Sequence, residues 1–166
     1  RTMVFPPMQP AADATVAREH TYHDGSSRTV MVSEREIAYP QGRLIISRTD
    51  LDGIITHAND AFVELSGYAR EDLIGQPHAI LRHPDMPRAA FKDLWTTVAA
   101  GKKWHGYVKN LRKDGSHYWV YATAVPNVRG GKIVGYTSVR RQPSRAKIAE
   151  ITATYKEWLA KEGSPA

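Results

Sequence analysis

The sequence predicts an α+β domain built on one five-stranded antiparallel sheet with short helices gathered on one face. Segments run strand–strand, several short helices, one longer helix, then three strands. The separators "DLDG", "DGS" and "RGG" are tight-turn sequences of the kind that join antiparallel neighbours. The early helical runs are short and each stops at a glycine, so together they wrap a space that one long helix would not.

Residues 1–40 lack apolar periodicity and are rich in Ala, Thr, Ser and Asp, which predicts a flexible N-terminal extension ahead of a folded domain over 41–142. From Leu44 the pattern sharpens. "LIISRT" and "IITHA" flank "DLDG" and predict a hairpin. Asn59 is placed to cap a short helix, "DAFVELSG", and "REDLIG" is a further single turn. In "PRAAFKDLWTTVAAG", Phe91, Leu94, Trp95 and Val98 fall on one helical face, with Gly101 as the stop. Three strands follow over 104–113, 117–128 and 132–141. Residues 143–166 form a C-terminal helix and tail, with Ile148, Ile151, Tyr155 and Leu159 on one stripe. That stripe needs cover, either the chain's own domain or a second copy in a homodimer seam.

Composition narrows the function. The chain has 166 residues, of which 42% are hydrophobic, and no run approaches the roughly 20 apolar residues of a bilayer-crossing helix. No direct membrane insertion is expected. There is no cysteine, which removes thiolate metal sites and thiol nucleophiles and fits a cytoplasmic location. The +6 formal charge is spread from Arg28 to Lys161 rather than clustered, so nucleic acid is not the expected partner. No P-loop, nucleophile elbow, HExxH or GxGxxG-after-strand pattern is visible, so catalysis is not indicated. The histidines show no zinc spacing, although any one of them suffices as an axial haem ligand.

The unusual stretch is "LRHPDMP", a proline-stiffened elbow ahead of the longer helix. One reading is structural: Asp85 caps that helix, with Met86 and Pro87 in its first turn, while Arg82 and His83 are solvated. The other is a binding wall. Arg82 offers a rigid fork of donors, His83 a switchable donor or acceptor, and Asp85 an acceptor for a ring N–H. Asn110 interrupts an apolar strand alternation and, if inward, suits the N–C=O edge of a flat heterocycle. Trp95 reads as core or as a stacking partner.

Taken together, "TDLDGIITHANDAFVELSGYAREDLIGQPH", "RHPDMP", "AFKDLW" and "VKNLRKDGSHYWV" resemble the FAD-binding PAS domain of bacterial aerotaxis (energy-taxis) receptors, over about residues 42–142. The resemblance implies a PAS fold, non-covalent FAD, and signalling of redox, oxygen or energy state through flavin reduction rather than turnover. It assigns FAD contacts to Arg82, His83, Asp85, Trp95 and Asn110, with His78 and Asn59 as additions. It also implies a downstream signalling module or partner protein. The receptors' membrane segment and methyl-accepting module have no counterpart in these 166 residues. Lack of cysteine sets the chain apart from the photoreceptor branch, which needs a thiol beside its flavin. The alternatives are a haem-binding gas sensor and a ligand-free dimerisation module.

Overall fold

The structure, a computed structural model, describes residues 4–22 and 25–163. Seven strands form two sheets: a hairpin of β1 (Val16–Thr21) and β2 (Ser27–Val32), and a five-stranded sheet of β3 (Ile45–Thr49), β4 (Ile55–Ala58), β5 (Trp104–Leu111), β6 (His117–Arg129) and β7 (Lys132–Arg141). The large sheet is antiparallel throughout, in the order β4-β3-β7-β6-β5. Between β4 and β5 lie α1 (Asp60–Ser66), α2 (Arg70–Leu73), a single 3-10 turn (His78–Leu81) and α3 (Arg88–Ala99). The last element is α4 (Arg145–Glu162).

Strand alternation divides the sheet into two faces. Cross-strand pairing sets Ile45, Arg140, Ala122 and Gly106 in one row, and Ser47, Ser138, Ala124 and Trp104 in the next. Tyr118 and Val120 share this inner face and pack with Phe62, Leu65, Ile80 and Leu81 from the helical layer. The middle of the face is therefore made of small residues. Gly106 is required there: a Cβ would come within 2.3 Å of the Trp104 ring, which lies over it.

The opposite face is covered by α4. Ile148 and Tyr155 pack with Trp119, and the Tyr155 hydroxyl donates to the Tyr107 carbonyl at 2.6 Å. Ser144 caps α4 by accepting from Lys147 N at 3.1 Å. Of the two covers open to the apolar stripe, the chain's own sheet is the one in place.

The extension expected to be flexible is instead a packed hairpin. Val30 and Val32 bury against Leu111, with Met8 alongside. Backbone bonds run from Gln9 N to Lys113 O, Ser33 N to Gly115 O and Ile37 N to His117 O. Gly115, at φ +90°, admits this close approach: a Cβ would meet Ala14 Cβ and Met31 O at 2.7 Å. Alternate residues of the hairpin are polar, so its one buried face gives little apolar signal.

Candidate functional site

Ser47, His78 and Arg140 meet in the layer between the sheet and the helices. Arg140 is 4% exposed. Its Nη2 donates to Ser47 Oγ at 3.0 Å and to His78 Nε2 at 2.9 Å, and its guanidinium stands 4.9 Å from the Phe62 ring centre. No carboxylate pairs with it among the described residues. Burial pulls its pKa down to about 10, and burial together with the Arg140 charge holds His78 at about 3, so that imidazole is neutral. Tyr118 is wholly buried, and burial lifts its phenol to about 12. Arg140 Nη1 has no hydrogen-bond partner among the described residues, while the buried Tyr118 hydroxyl faces the Asn110 side chain. Buried charges are ordinarily satisfied, so an unpartnered guanidinium nitrogen on the inner face is free to take a further acceptor. A buried arginine of this kind carries no sequence signal beyond its register, and the motif reading passed over it.

The elbow stands beside β5. Arg82 makes a backbone bridge with Asn110, whose side chain is buried on the inner face directly opposite Tyr118. The Arg82 guanidinium lies 4.7 Å from the Phe91 ring centre, and its Nε has no partner. His83 is 2% exposed; its Nδ1 accepts from Asp85 N at 3.0 Å, which leaves the proton on Nε2. Burial, then the Lys109 charge, holds His83 neutral with a pKa of about 3.

Asp85 faces away from the inner layer. It pairs with Lys109 at 2.8 Å and with Arg18 of β1, tying the hairpin to the elbow. Burial opposes its ionised form, but these hydrogen bonds outweigh burial and hold the carboxyl below the usual range. The capping role expected of Asp85 belongs to Glu162, whose carboxylate accepts from Arg88 N and Ala89 N at 2.9 Å each. Helix α3 begins after Pro87, so Met86 and Pro87 precede its first turn.

The remaining expected residues are placed apart. Asn59 caps α1: Oδ1 accepts from Phe62 N and Ile46 N at 3.1 Å, and Nδ2 donates to Leu44 O at 2.9 Å, which occupies its amide with backbone. Trp95 is 38% exposed, edge-on to Tyr136 and against Gly53, at the margin of the core rather than within it. Trp104, unremarked in the sequence reading, is the buried tryptophan of the inner face, with Nε1 donating to Asp93 at 2.8 Å.

The residues present suit a flat, polar heterocycle. Small side chains occupy two rows of the sheet's inner face, and Asn110, Tyr118, Ser47 and Arg140 place amide, hydroxyl and guanidinium groups on that same face. Among the described residues, no three His, Asp or Glu side chains gather as a metal-ligand group. No helix among them is long and apolar enough to cross a membrane.

Known proteins agree with this geometry. A family model described as the PAS fold matches residues 55–140. The aerotaxis receptor of Escherichia coli (strain K12) is 50% identical over 125 residues, covering 75% of this chain and 25% of that protein. The nitrogen fixation regulatory protein of Klebsiella pneumoniae is 30% identical over 105 residues, 63% of this chain and 21% of that one. The chain thus spans about a quarter of the length of these curated relatives. In structure, the light state of the Aureochrome1 light-oxygen-voltage domain superposes with a TM-score of 0.60 at 22% identity, over 68% of this chain and 91% of that chain. A light-oxygen-voltage domain studied with a flavin analogue gives 0.59 at 25% identity, over 70% and 88%. With the five-stranded antiparallel sheet, the helical layer and these matches, the chain belongs to the PAS family.

Proposed function

We propose that this domain binds FAD non-covalently between the sheet and the helical layer, and that it reports redox, oxygen or energy state to a downstream module in the cytoplasm. The observation that supports this most is the buried guanidinium of Arg140, whose Nη1 has no hydrogen-bond partner among the described residues. The relatives favour a flavin: one is named an aerotaxis receptor, and one matched structure concerns a flavin analogue. The role is signalling rather than turnover.

A flavin, when bound, supplies a ring whose protonation changes on reduction. The chain's own residues read that change. Asn110 presents an amide that accepts in one orientation and donates in the other. Arg140 offers a fixed donor and a positive charge, while neutral His78 holds the guanidinium in place. A buried mismatch between donor and acceptor is worth about 1–3 kcal/mol, enough to move a two-state element several-fold. The route outward runs along β5, from Asn110 to Tyr107, whose carbonyl takes the Tyr155 hydroxyl of α4.

The test is an equilibrium titration of the flavin-free protein with FAD, followed by flavin fluorescence. The expected result is saturable one-to-one binding that weakens tenfold or more in Asn110→Ala while the thermal midpoint stays near wild type. Equal binding by the variant removes Asn110 from the site. Absence of binding by the folded wild type removes the flavin.

A further inference from the structure

The inward face of the N-terminal hairpin changes character along its length. Val30 and Val32 bury at one end; Arg18, His20, Tyr22 and Arg28 share that face at the other. His20 and Tyr22 are 6% and 4% exposed, and their rings stack at 4.6 Å. Arg28, paired across the strands with His20, lies 5.0 Å from the Phe5 ring centre and donates to Pro6 O at 3.2 Å and Tyr68 Oη at 3.4 Å. Arg82 enters from the elbow, and the charges of Arg28 and Arg82 both bear on His20 and on Tyr22. The hairpin thus gathers His20, Tyr22 and Arg28, and Arg82 of the elbow stands near enough for its charge to bear on both rings.

Three buried polar atoms at this junction have no hydrogen-bond partner among the described residues, His20 Nδ1, Arg28 Nη1 and Arg82 Nε, and the Tyr22 hydroxyl buried with them faces Arg28. The elbow's carboxylate, Asp85, is engaged by Arg18 and Lys109. Neither Arg28 nor Arg82 forms an ion pair among the described residues. Two guanidinium forks, a phenol and an imidazole, with neither guanidinium ion-paired among the described residues and Glu162 the acid whose charge bears on Arg82, are the donor set of a phosphate site. The orphaned atoms come from β1, β2 and the elbow, so the site exists only when the hairpin is seated.

We propose that this nest is an anion site for a diphosphate, and that its natural occupant is the diphosphate of the flavin dinucleotide, over which the hairpin closes. The identity of the occupant rests on the FAD reading above; the anion site does not. Arg82 bridges to Asn110, so the nest adjoins the inner-face polar residues where the flavin ring is proposed to lie. A ligand whose ring lies at Asn110 reaches Arg82 with whatever extends beyond the ring. That extension selects a dinucleotide over a flavin without phosphate.

The experiment is a set of calorimetric titrations of the flavin-free full chain with inorganic pyrophosphate, ADP, FAD and riboflavin, for wild type, Arg28→Met and Tyr22→Phe. Thermal melts accompany each protein. The expected result is pyrophosphate binding by wild type, lost tenfold or more in Arg28→Met and weakened in Tyr22→Phe. FAD affinity falls in parallel while riboflavin affinity is unchanged. The ligand-free melt of Arg28→Met stays at or above wild type, because an unpaired half-buried charge has been removed. Pyrophosphate and FAD affinities equal to wild type in both variants overturn the site. So does an equal fall for FAD and riboflavin, which assigns the hairpin to the fold alone. Arg28-dependent binding of pyrophosphate or ADP with no flavin bound upholds the anion site and removes the flavin dinucleotide as its occupant.

Discussion

Arg140 donates through Nη2 to His78 Nε2 at 2.9 Å, a cation held by a neutral imidazole instead of a carboxylate. Its second terminal nitrogen has no partner among the described residues, so the guanidinium is desolvated without full compensation. Arg140→Met is expected to keep or raise the stability of the flavin-free protein, since removing an uncompensated buried charge relieves a cost on the order of 1 kcal/mol or more. The same change is expected to weaken FAD binding about tenfold or more, the worth of a hydrogen bond from a charged donor. Paired melts with and without FAD check both, and a variant that binds FAD like wild type separates Arg140 from the ligand.

Histidines held neutral in the fold give it an acid limit. His78 and His83 have pKa values lowered to about 3 and His20 to about 4, all from an ordinary 6.5. Each binds a proton more readily when unfolded, so its contribution is fully present above pH 6.5 and is lost as pH falls toward the folded values. The slope is about 1.4 kcal/mol per pH unit for each fully titrating histidine, and up to roughly 4 kcal/mol per unit for the three together. Asp85, whose carboxyl is held low, adds a loss of the same sign below its unfolded value. Urea melts at pH 7.5, 6 and 5 are expected to show stability falling steeply, with a shallower fall in His78→Gln. A flat profile to pH 5 contradicts the neutral burial of these rings.

Glu162 joins the end of α4 to the first turn of α3 by accepting from Arg88 N and Ala89 N. Carboxylates at helix N-termini are worth about 0.5–2 kcal/mol. Glu162→Ala is expected to cost about 1 kcal/mol and to speed amide exchange in the last turns of α4 without changing the sheet. Unchanged exchange there means that Tyr155 and Ile148 hold α4 by themselves.

The two tryptophans near α3 are expected to differ in worth. Trp104 is 7% exposed, covers Gly106 and donates to Asp93; Trp104→Ala is expected to cost about 3–5 kcal/mol. Trp95 is 38% exposed, and Trp95→Ala is expected to cost much less. Urea denaturation of the two variants ranks them, and the reverse order contradicts the placement of these rings.

Sequence legibility followed local physics. The hairpin turns, the glycine stops and the helical stripes are short-range signals, and β7 has the ends expected of it. Asn110 was legible as a candidate because it broke an apolar alternation, and its pairing with Tyr118 settles that it faces inward. Arg140 was not, since a strand arginine ordinarily faces water and only its pairing with Ile45 and Ala122 places it inside. Asp85 looked like a cap because caps are read from neighbours in sequence, whereas Arg18, Lys109 and Glu162 arrive from elsewhere in the chain. The hairpin was missed for the same reason: its buried valines find their partner at Leu111.

The visible absorption spectrum of the purified protein, with chromatography of whatever heat releases, tests the central claim most directly. Two broad bands in the near-ultraviolet and blue, with FAD in the released fraction, are the predicted result. A single intense violet band means haem, and a folded, colourless protein that also refuses added FAD leaves a ligand-free interaction domain; either contradicts the flavin site.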